Sequence, residues 1–433
     1  MQQQEDHPSM RGFFVEKIMK NNFTITNNKL FIGGMSAREL IGRFGSPVYV
    51  YDADIIKRQY ASLRDTITYP NLSIHYACKA NSNLEILKLL RAEGAHIETV
   101  SHGEVDLALA AGFTQKEIIY SCGNISFEEQ KELMSQNIAM NLDSLTQVRR
   151  FGEINPGGKI SFRINQGIGA GFHKHTITGG PESKFGIDIT QIPEVKKLAK
   201  QYNLTIAGIH QHIGSNILDE NIFMQAIEKL LETAKLFPDL EVIDFGGGFG
   251  VPYKPGEKAL DMISLGQKIT KALTQFMKAY GRELHVRFEP GRYLVAESGV
   301  FLTTVTEIKE TPYKTFVGLN AGFNQLIRPA MYGAYQEIVN ASDMTGATSL
   351  VSVVGNICES SDFFAKDRTI SKFSEGDIAA ILDSGAYGYS MSSNFNARTQ
   401  PAEVLIEDGK PRVIRKTNGL PTKKLLFSEG LSI

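Results

Sequence analysis

The run Ile74-His75-Tyr76-Ala77-Cys78-Lys79-Ala80-Asn81 delivers an alternating apolar segment straight into a lysine. Alternation of this kind reads as a strand. Asn83, just ahead of Leu84, Leu87 and Leu90, reads as the cap of a helix that follows. A lysine at a strand end is either a snorkelling surface side chain or a deliberately placed amine, and the octapeptide alone does not separate the two. The rest of the chain does, because the same strand-to-helix unit recurs.

Strand segments are expected at Ile74 to Ala77, His96 to Val100, Ile118 to Ser121, Ile138 to Leu142, Ile160 to Ile164, Ile206 to His212, Val242 to Phe245 and Leu284 to Phe288. Capping patterns at Ser101 with Glu104, and at Ser144 with Gln147, open helices between them. Eight such units make a (β/α)8 barrel, an architecture of about 250 residues, which the span from Val48 to Pro290 fits. A doubly wound sheet is the competing arrangement and carries a different glycine fingerprint. Beyond Glu297 the texture turns β-rich, at Phe301 to Lys309, Lys314 to Leu319, Ser349 to Val354, Asp377 to Leu382 and Pro401 to Glu407. Asp408-Gly409 and Asn27-Asn28 are hairpin turn signals. The expected organisation is a tail and hairpin over 1–45 belonging to a β domain, a barrel over 46–296, and the remaining β domain over 297–433.

At 433 residues the chain is long enough for two or three cores. Lys and Arg number 46 against 47 Asp and Glu, so no basic excess points to nucleic acid or anionic lipid; small-molecule chemistry is the better expectation. Cys78, Cys122 and Cys358 are odd in number and widely spaced, which argues for free thiols in a reducing compartment. The first residues are polar, without the apolar core of a signal peptide, and no run reaches membrane length. A cytoplasmic protein is expected, with Met10 and Met19 as alternative starts.

Catalytic groups of a barrel sit where its strands end. Those ends offer Lys79, Glu98, Arg163, His210 with His212, Gly246-Gly247-Gly248 and Glu289. The glycine run lets backbone amides approach an anion, or is simply a flexible turn; beside a carboxylate at the eighth strand, a phosphate site is favoured. His210-Gln211-His212 puts two imidazoles on one strand face, either as a metal pair or with His212 as a flat ring stacked on a planar cofactor, and the second is favoured, with Ser215 as a phosphate donor. His173-Lys174-His175 reads as exposed loop. Glu289-Pro290-Gly291-Arg292 couples a carboxylate and a guanidinium across a turn, either as an ordinary ion pair or as a carboxylate for a ring nitrogen beside a clamp for a substrate carboxylate. A lysine, a phosphate loop, a stacking ring and a ring-nitrogen carboxylate together describe a pyridoxal phosphate site.

With those residues in view, the chain resembles the meso-diaminopimelate decarboxylase family of the alanine-racemase-like, fold-type III pyridoxal phosphate enzymes. The resemblance runs from about Val48 to Leu405. It rests on Tyr76 to Asn81, His212-Ile213-Gly214-Ser215, Gly246 to Gly250, Glu289 to Arg292, Leu326 to Tyr335, Cys358-Glu359-Ser360-Ser361-Asp362, and Gly385-Ala386-Tyr387-Gly388 leading to Met391 to Asn394. It implies decarboxylation of meso-2,6-diaminopimelate to L-lysine and carbon dioxide, the last step of lysine biosynthesis, with pyridoxal 5'-phosphate as cofactor. Lys79 is then the covalent anchor, His212 the stacked ring, and Glu289 the partner of the ring nitrogen. Ser215, Gly246, Gly247, Gly248, Gly291, Arg292 and Tyr387 complete the cofactor contacts. For the substrate, Arg292, Arg328, Tyr332 and Tyr387 are implied, with Glu359 for its distal ammonium. Cys358 is implied as the acid that reprotonates carbon, and a homodimer with shared active sites follows, because in the family Cys358 and Glu359 serve the partner subunit. No metal is expected. Asn216, Asn356 and Thr399-Gln400 depart from the family's usual residues.

Three rivals remain open at this stage. One is a decarboxylase of the same fold acting on D-lysine, D-ornithine, arginine or carboxynorspermidine. Another is an inactive regulatory homologue, against which Lys79 and Cys358 weigh. The third is a metal-dependent barrel hydrolase built on His210 and His212.

Overall fold

The computed structural model describes residues 23–171, 179–180 and 182–417, so the N-terminal tail and the His173-Lys174-His175 loop lie outside the described residues. The chain divides into two compact units. One comprises 57–251 and 258–294, the other residues up to Ile56, Pro252–Glu257 and everything from Val295 onward.

In the first unit all eight expected strands form: Leu72–Ala77, His96–Thr99, Ile118–Tyr120, Ala139–Leu142, Lys159–Asn165, Thr205–His210, Val242–Asp244 and His285–Phe288. They lie in chain order, each parallel to the next. The last pairs back on the first through Phe288 and Ile74, which closes the ring. The helices between them start where capping residues stand. Asn83 accepts from the Glu85 amide ahead of Leu84–Ala92, Ser101 from that of Glu104 ahead of His102–Ala110, and Ser144 from that of Gln147 ahead of Leu145–Ile154. Each such cap satisfies an amide that the first helical turn leaves without a backbone partner.

The second unit is a twisted β-sheet. Its strands run in the order Phe363–Ser371, Thr348–Val354, Thr315–Leu319, Gly299–Glu310, Val48–Asp52, Ala402–Glu407 and Lys410–Arg415, with Ile378–Ile381 pairing Gly299–Glu310 and Ile338–Asn340. Asp408 and Gly409 turn the last hairpin at positive φ, as do Asn27 and Asn28 between Phe23–Thr26 and Lys29–Ile32. Phe23, Leu30 and Ile32 of that N-terminal hairpin pack in one buried cluster with Val48, Val300, Ala380 and Val404.

Two sequence expectations need correction here. Position along the chain puts Val48–Asp52 in the barrel span, yet it pairs antiparallel with Gly299–Glu310 and parallel with Ala402–Glu407. All five of its residues are buried. A strand buried on both faces is stabilised by whichever neighbours cover it, and local composition carries no mark of which sheet that is. Phe363–Ser371 and Ile338–Asn340 also form strands beyond those read from the sequence, the first with Lys366 and Asp367 exposed in its middle.

Candidate active site

The octapeptide folds as a strand that breaks into a single 3-10 turn, Cys78–Ala80, and this turn carries Lys79. The Tyr76 hydroxyl donates to the Asn81 carbonyl at 3.0 Å, and the Asn81 side chain accepts from the Asn83 amide at 3.1 Å. The motif's aromatic and amide residues thus hold the turn. Lys79 Nζ stands 2.5 Å from Glu98 Oε2, with the lysine side chain 36% exposed and the carboxylate 1% exposed. Glu98 is opposite Ala77 in the neighbouring strand. Sequence reading places it at a strand end without giving it a task, and the structure pairs it with the amine.

Glu289 is buried just past the eighth strand. His210 Nε2 meets its Oε2 at 3.0 Å, and the Ser121 hydroxyl points to its Oε1 at 3.5 Å. Behind Ser121 the network continues, because Asn141 donates to the serine at 3.0 Å and Ser161 donates to Asn141 at 2.6 Å. Ligand-bearing atoms of His210, Asp244 and Glu289 all lie within 4.8 Å of one another. Burial pushes the Asp244 carboxyl up to about 7, helped by the neighbouring Glu289. Burial and then Glu98 push Glu289 up to about 8. Loss of water also drives His210 down to about 4, so its imidazole is neutral.

The glycine run has a different reason for its composition than open amides. A Cβ on Gly246 would stand 2.2 Å from the Gln211 carbonyl oxygen, and one on Gly247 would stand 2.1 Å from that of Glu289. The run is glycine because three strand ends crowd together there. Its amides are also partly committed: Gly246 N donates to Asp244 Oδ1 at 2.9 Å, and Gly247 N to His212 Nδ1 at 3.1 Å. The expectation that these amides are free for phosphate oxygens is therefore corrected for Gly246 and Gly247. Ile217 N bonds the Gly248 carbonyl and Gly250 N bonds the Ile217 carbonyl, while Asn216 accepts from the Val251 amide, so the loops after strands six and seven are zipped into one wall.

The sixth strand ends at His210, so His212 lies beyond it rather than on the same strand face. The two imidazoles have separate partners and do not form the metal pair considered from sequence. Accepting through Nδ1 leaves the His212 proton on Nε2, and burial followed by the Arg163 charge holds its ring neutral. Arg163, buried and facing Asp143 at 3.8 Å, donates to the His212 carbonyl at 3.1 Å. Arg292 Nη2 donates to the Ser215 hydroxyl at 3.0 Å, which unites two of the expected contacts; Gly291 is buried beside it.

The other expected residues are in the β unit. Arg328 is buried, donates to Gln336 Oε1 at 2.7 Å and stacks 4.7 Å from the Tyr253 ring centre; Tyr332 closes the same short helix, Arg328–Tyr332. Gln336, which sequence reading missed, is anchored in turn on the Leu382 carbonyl. Tyr387 sits at φ 56° in a loop whose flanking glycines admit no side chain: a Cβ on Gly385 would be 1.8 Å from the Val295 carbonyl oxygen. Cys358 and Glu359 are exposed. Their loop is shaped by Asp362, whose carboxylate accepts from the Phe323 amide at 2.7 Å and the Ile357 amide at 2.8 Å. Of the other two thiols, Cys78 is buried and pushed far above its ordinary range, and burial also raises Cys122.

Within the barrel, then, an amine with a carboxylate partner, a buried acid pair beside a neutral imidazole, a second neutral flat ring and an arginine with a hydroxyl converge on one end. Asp244 Oδ2 and His210 Nδ1 are buried without a hydrogen-bond partner. A cofactor with an aldehyde, a basic ring nitrogen and a phosphate fits that set.

Comparison with known proteins agrees. Residues 53–296 match the family model for the pyridoxal-dependent decarboxylase, pyridoxal binding domain. A diaminopimelate decarboxylase of Methanothermobacter thermautotrophicus is 43% identical over 89% of this chain and 92% of its own length. One from Escherichia coli is 36% identical over 87% and 92%. The solved diaminopimelate decarboxylase of Helicobacter pylori complexed with L-lysine aligns with a TM-score of 0.83 at 36% identity, covering 91% of this chain and 100% of that one. A Vibrio vulnificus lysine/ornithine decarboxylase aligns at 0.73 with 23% identity, a likeness of fold alone. The chain belongs to the pyridoxal-dependent decarboxylases, in the diaminopimelate decarboxylase family.

Proposed function

We propose that this chain converts meso-2,6-diaminopimelate to L-lysine and carbon dioxide with pyridoxal 5'-phosphate as its cofactor, closing lysine biosynthesis. The observation that carries the reading is the Lys79–Glu98 pair standing with the buried Glu289–His210 pair at the strand ends of one barrel. Pyridoxal phosphate supplies the electron sink that accepts the pair left when carbon dioxide departs.

Lys79 is the anchoring amine, and Glu98 takes up the proton that Nζ must lose before it can act as a nucleophile. Glu289 holds negative charge against the cofactor's ring nitrogen, with His210 and Ser121 orienting its two oxygens. His212 presents its face to the ring, tautomer set by the Gly247 amide. Ser215, Arg292, Gly248, Gly291 and Tyr387 bind the phosphate end, and Gly246 and Gly247 contribute by letting the wall approach closely.

Arg292, Arg328 and Tyr332 receive the distal carboxylate of the substrate, and Glu359 its distal ammonium. Such a pair of charges selects a zwitterionic far end, since a substrate lacking one leaves a partner uncompensated in a dry site. Cys358 delivers the proton to the carbon that has lost carbon dioxide. Its exposure in the single chain accords with a homodimer in which Cys358 of the partner subunit completes each site. A cytoplasmic location accords with three free cysteines, and among the described residues no helix is long and apolar enough to cross a membrane.

Lysine release from meso-diaminopimelate, assayed beside D-lysine, D-ornithine, arginine and carboxynorspermidine, tests this. A clear preference for ornithine would overturn the substrate assignment. Borohydride reduction with peptide mapping tests the anchor, and labelling anywhere but Lys79 would refute it.

A further inference from the structure

The pyridoxal phosphate reading gives Glu289 a task but leaves His210 and Asp244 without one. Both are fully enclosed, at 1% and 0% exposure. Asp244 spends one oxygen on the Gly246 amide, and its other oxygen is buried without a partner. His210 spends Nε2 on Glu289 and leaves Nδ1 equally bare. Two carboxyl groups and a neutral imidazole thus share a space 4.8 Å across, away from water. Like charges so close and so poorly solvated do not both ionise; a proton stays between them.

Building on the cofactor reading, we infer that His210, Asp244 and Glu289 hold one shared proton in the unloaded protein, and that His210 and Asp244 are positioning residues for the Glu289 carboxylate. When a protonated ring nitrogen takes its place against Glu289, the shared proton leaves to solvent: one carboxyl O–H bond breaks, no other bond changes, and no electrons are exchanged. The site thereby exchanges one cation for another and never buries two bare carboxylates.

The charged groups around the triad are consistent with this. Lys79 and Arg163 face Glu289 and favour its ionised form, and Glu98 opposes it. Arg287 faces Asp244. Burial disfavours a charged His210 and Arg163 adds to it, while Asp244 first and then Glu98 and Asp143 favour the charge without overcoming burial. The cations lie outside the triad, so its inner proton has no substitute until a ligand brings one.

The test uses pyridoxamine 5'-phosphate, which carries the ring and the phosphate but makes no bond to Lys79. Calorimetry of its binding near pH 7 in two buffers of different ionisation enthalpy counts protons released. Wild-type protein should release close to one proton more than Asp244→Asn, whose amide cannot hold the shared proton. His210→Leu should weaken binding on the order of 10- to 100-fold, the value of one hydrogen bond to a charged group, and His210→Gln, which restores an N–H donor, should recover most of that. A packing role alone would move neither the proton count nor the Gln rescue. Should His210→Leu fail to fold, Asp244→Asn and His210→Gln decide the matter. Equal proton release by wild type and Asp244→Asn overturns the inference while the cofactor reading stands. Failure of wild-type protein to bind pyridoxal 5'-phosphate at all overturns that reading as well.

Discussion

Replacing Gly247 by alanine is the sharpest probe of how the barrel end is built. The new Cβ would lie 2.1 Å from the Glu289 carbonyl oxygen and 3.0 Å from its carbonyl carbon, where ordinary contact begins at 3.4 Å. The obstacle is backbone, which cannot swing away like a flexible side chain. The segment at Glu289 must therefore retreat by roughly an ångström. Glu289 Oε2 is 3.0 Å from His210 Nε2, and a further ~0.6 Å ends a hydrogen bond. Overpacking of this kind costs about 1–3 kcal/mol of stability. An ångström of misplacement in a positioned group lowers kcat/KM on the order of 100-fold. Urea unfolding and lysine release measured on the same preparation give both quantities. The contrast is Gly42→Ala, in the helix Ala37–Phe44, where a Cβ meets nothing within 4 Å; it should gain about 0.5–1 kcal/mol from helix propensity and leave kcat/KM alone. A Gly247→Ala protein with wild-type stability and rate would refute the crowding argument and return the glycine run to an open phosphate loop.

Cys358→Ala should slow turnover with the cofactor still bound, read from the visible absorption of the protein beside its rate; loss of the cofactor would make the residue structural. Asp362→Ala, which abandons the Phe323 and Ile357 amides, should cost about 1–3 kcal/mol and lower kcat, while pyridoxal phosphate affinity, measured by absorbance titration, stays within twofold or so. The pH dependence of stability in the unloaded protein follows from the buried acids. Asp244 and Glu289 have folded values of about 7 and about 8, above their ordinary carboxylate values, mainly through burial. Their contribution is fully present below the unfolded values, near 4, and is lost as pH rises through the folded ones. His210, lowered to about 4, works the other way, adding stability as pH climbs from 4 to 6.5, and is silent above that. From pH 6.5 to 8 the acid pair and Glu104, which burial raises to about 7, lose protons that the unfolded chain has already lost, and the urea midpoint should fall, with a slope on the order of 1 kcal/mol per pH unit for the proton the pair shares. Asp244→Asn should flatten the fall, and a midpoint that rises over this window would contradict the burial of the acid pair.

How much of this was legible beforehand differs by level. Strand and helix alternation, caps at Asn83, Ser101 and Ser144, and hairpin turns at Asn27-Asn28 and Asp408-Gly409 are local properties. Side-chain period and turn conformation are decided within a few residues, so the barrel and its eight strands could be read directly. Lys79, Glu289, His212, Ser215 and Arg292 stand out as candidates in the sequence because barrel topology sends strand ends to one side. Motifs carried Arg328, Cys358 and Glu359.

What the chain's own sequence could not decide is which atoms meet across strands far apart in number. Glu98 is an acid like many others until the fold puts it 2.5 Å from Lys79. Asp244 and Ser121 acquire meaning only beside Glu289. Val48–Asp52 reads as a strand of any sheet until Gly299–Glu310 and Ala402–Glu407 cover it. The glycines at 246 and 247 announce that no side chain fits, yet only packing tells that the obstacles are the carbonyls of Gln211 and Glu289. Period, caps and turns are written in neighbouring residues, whereas distance, burial and the proton affinities they set are properties of the closed barrel, where water is gone and each charge depends on the partners the fold brings to it.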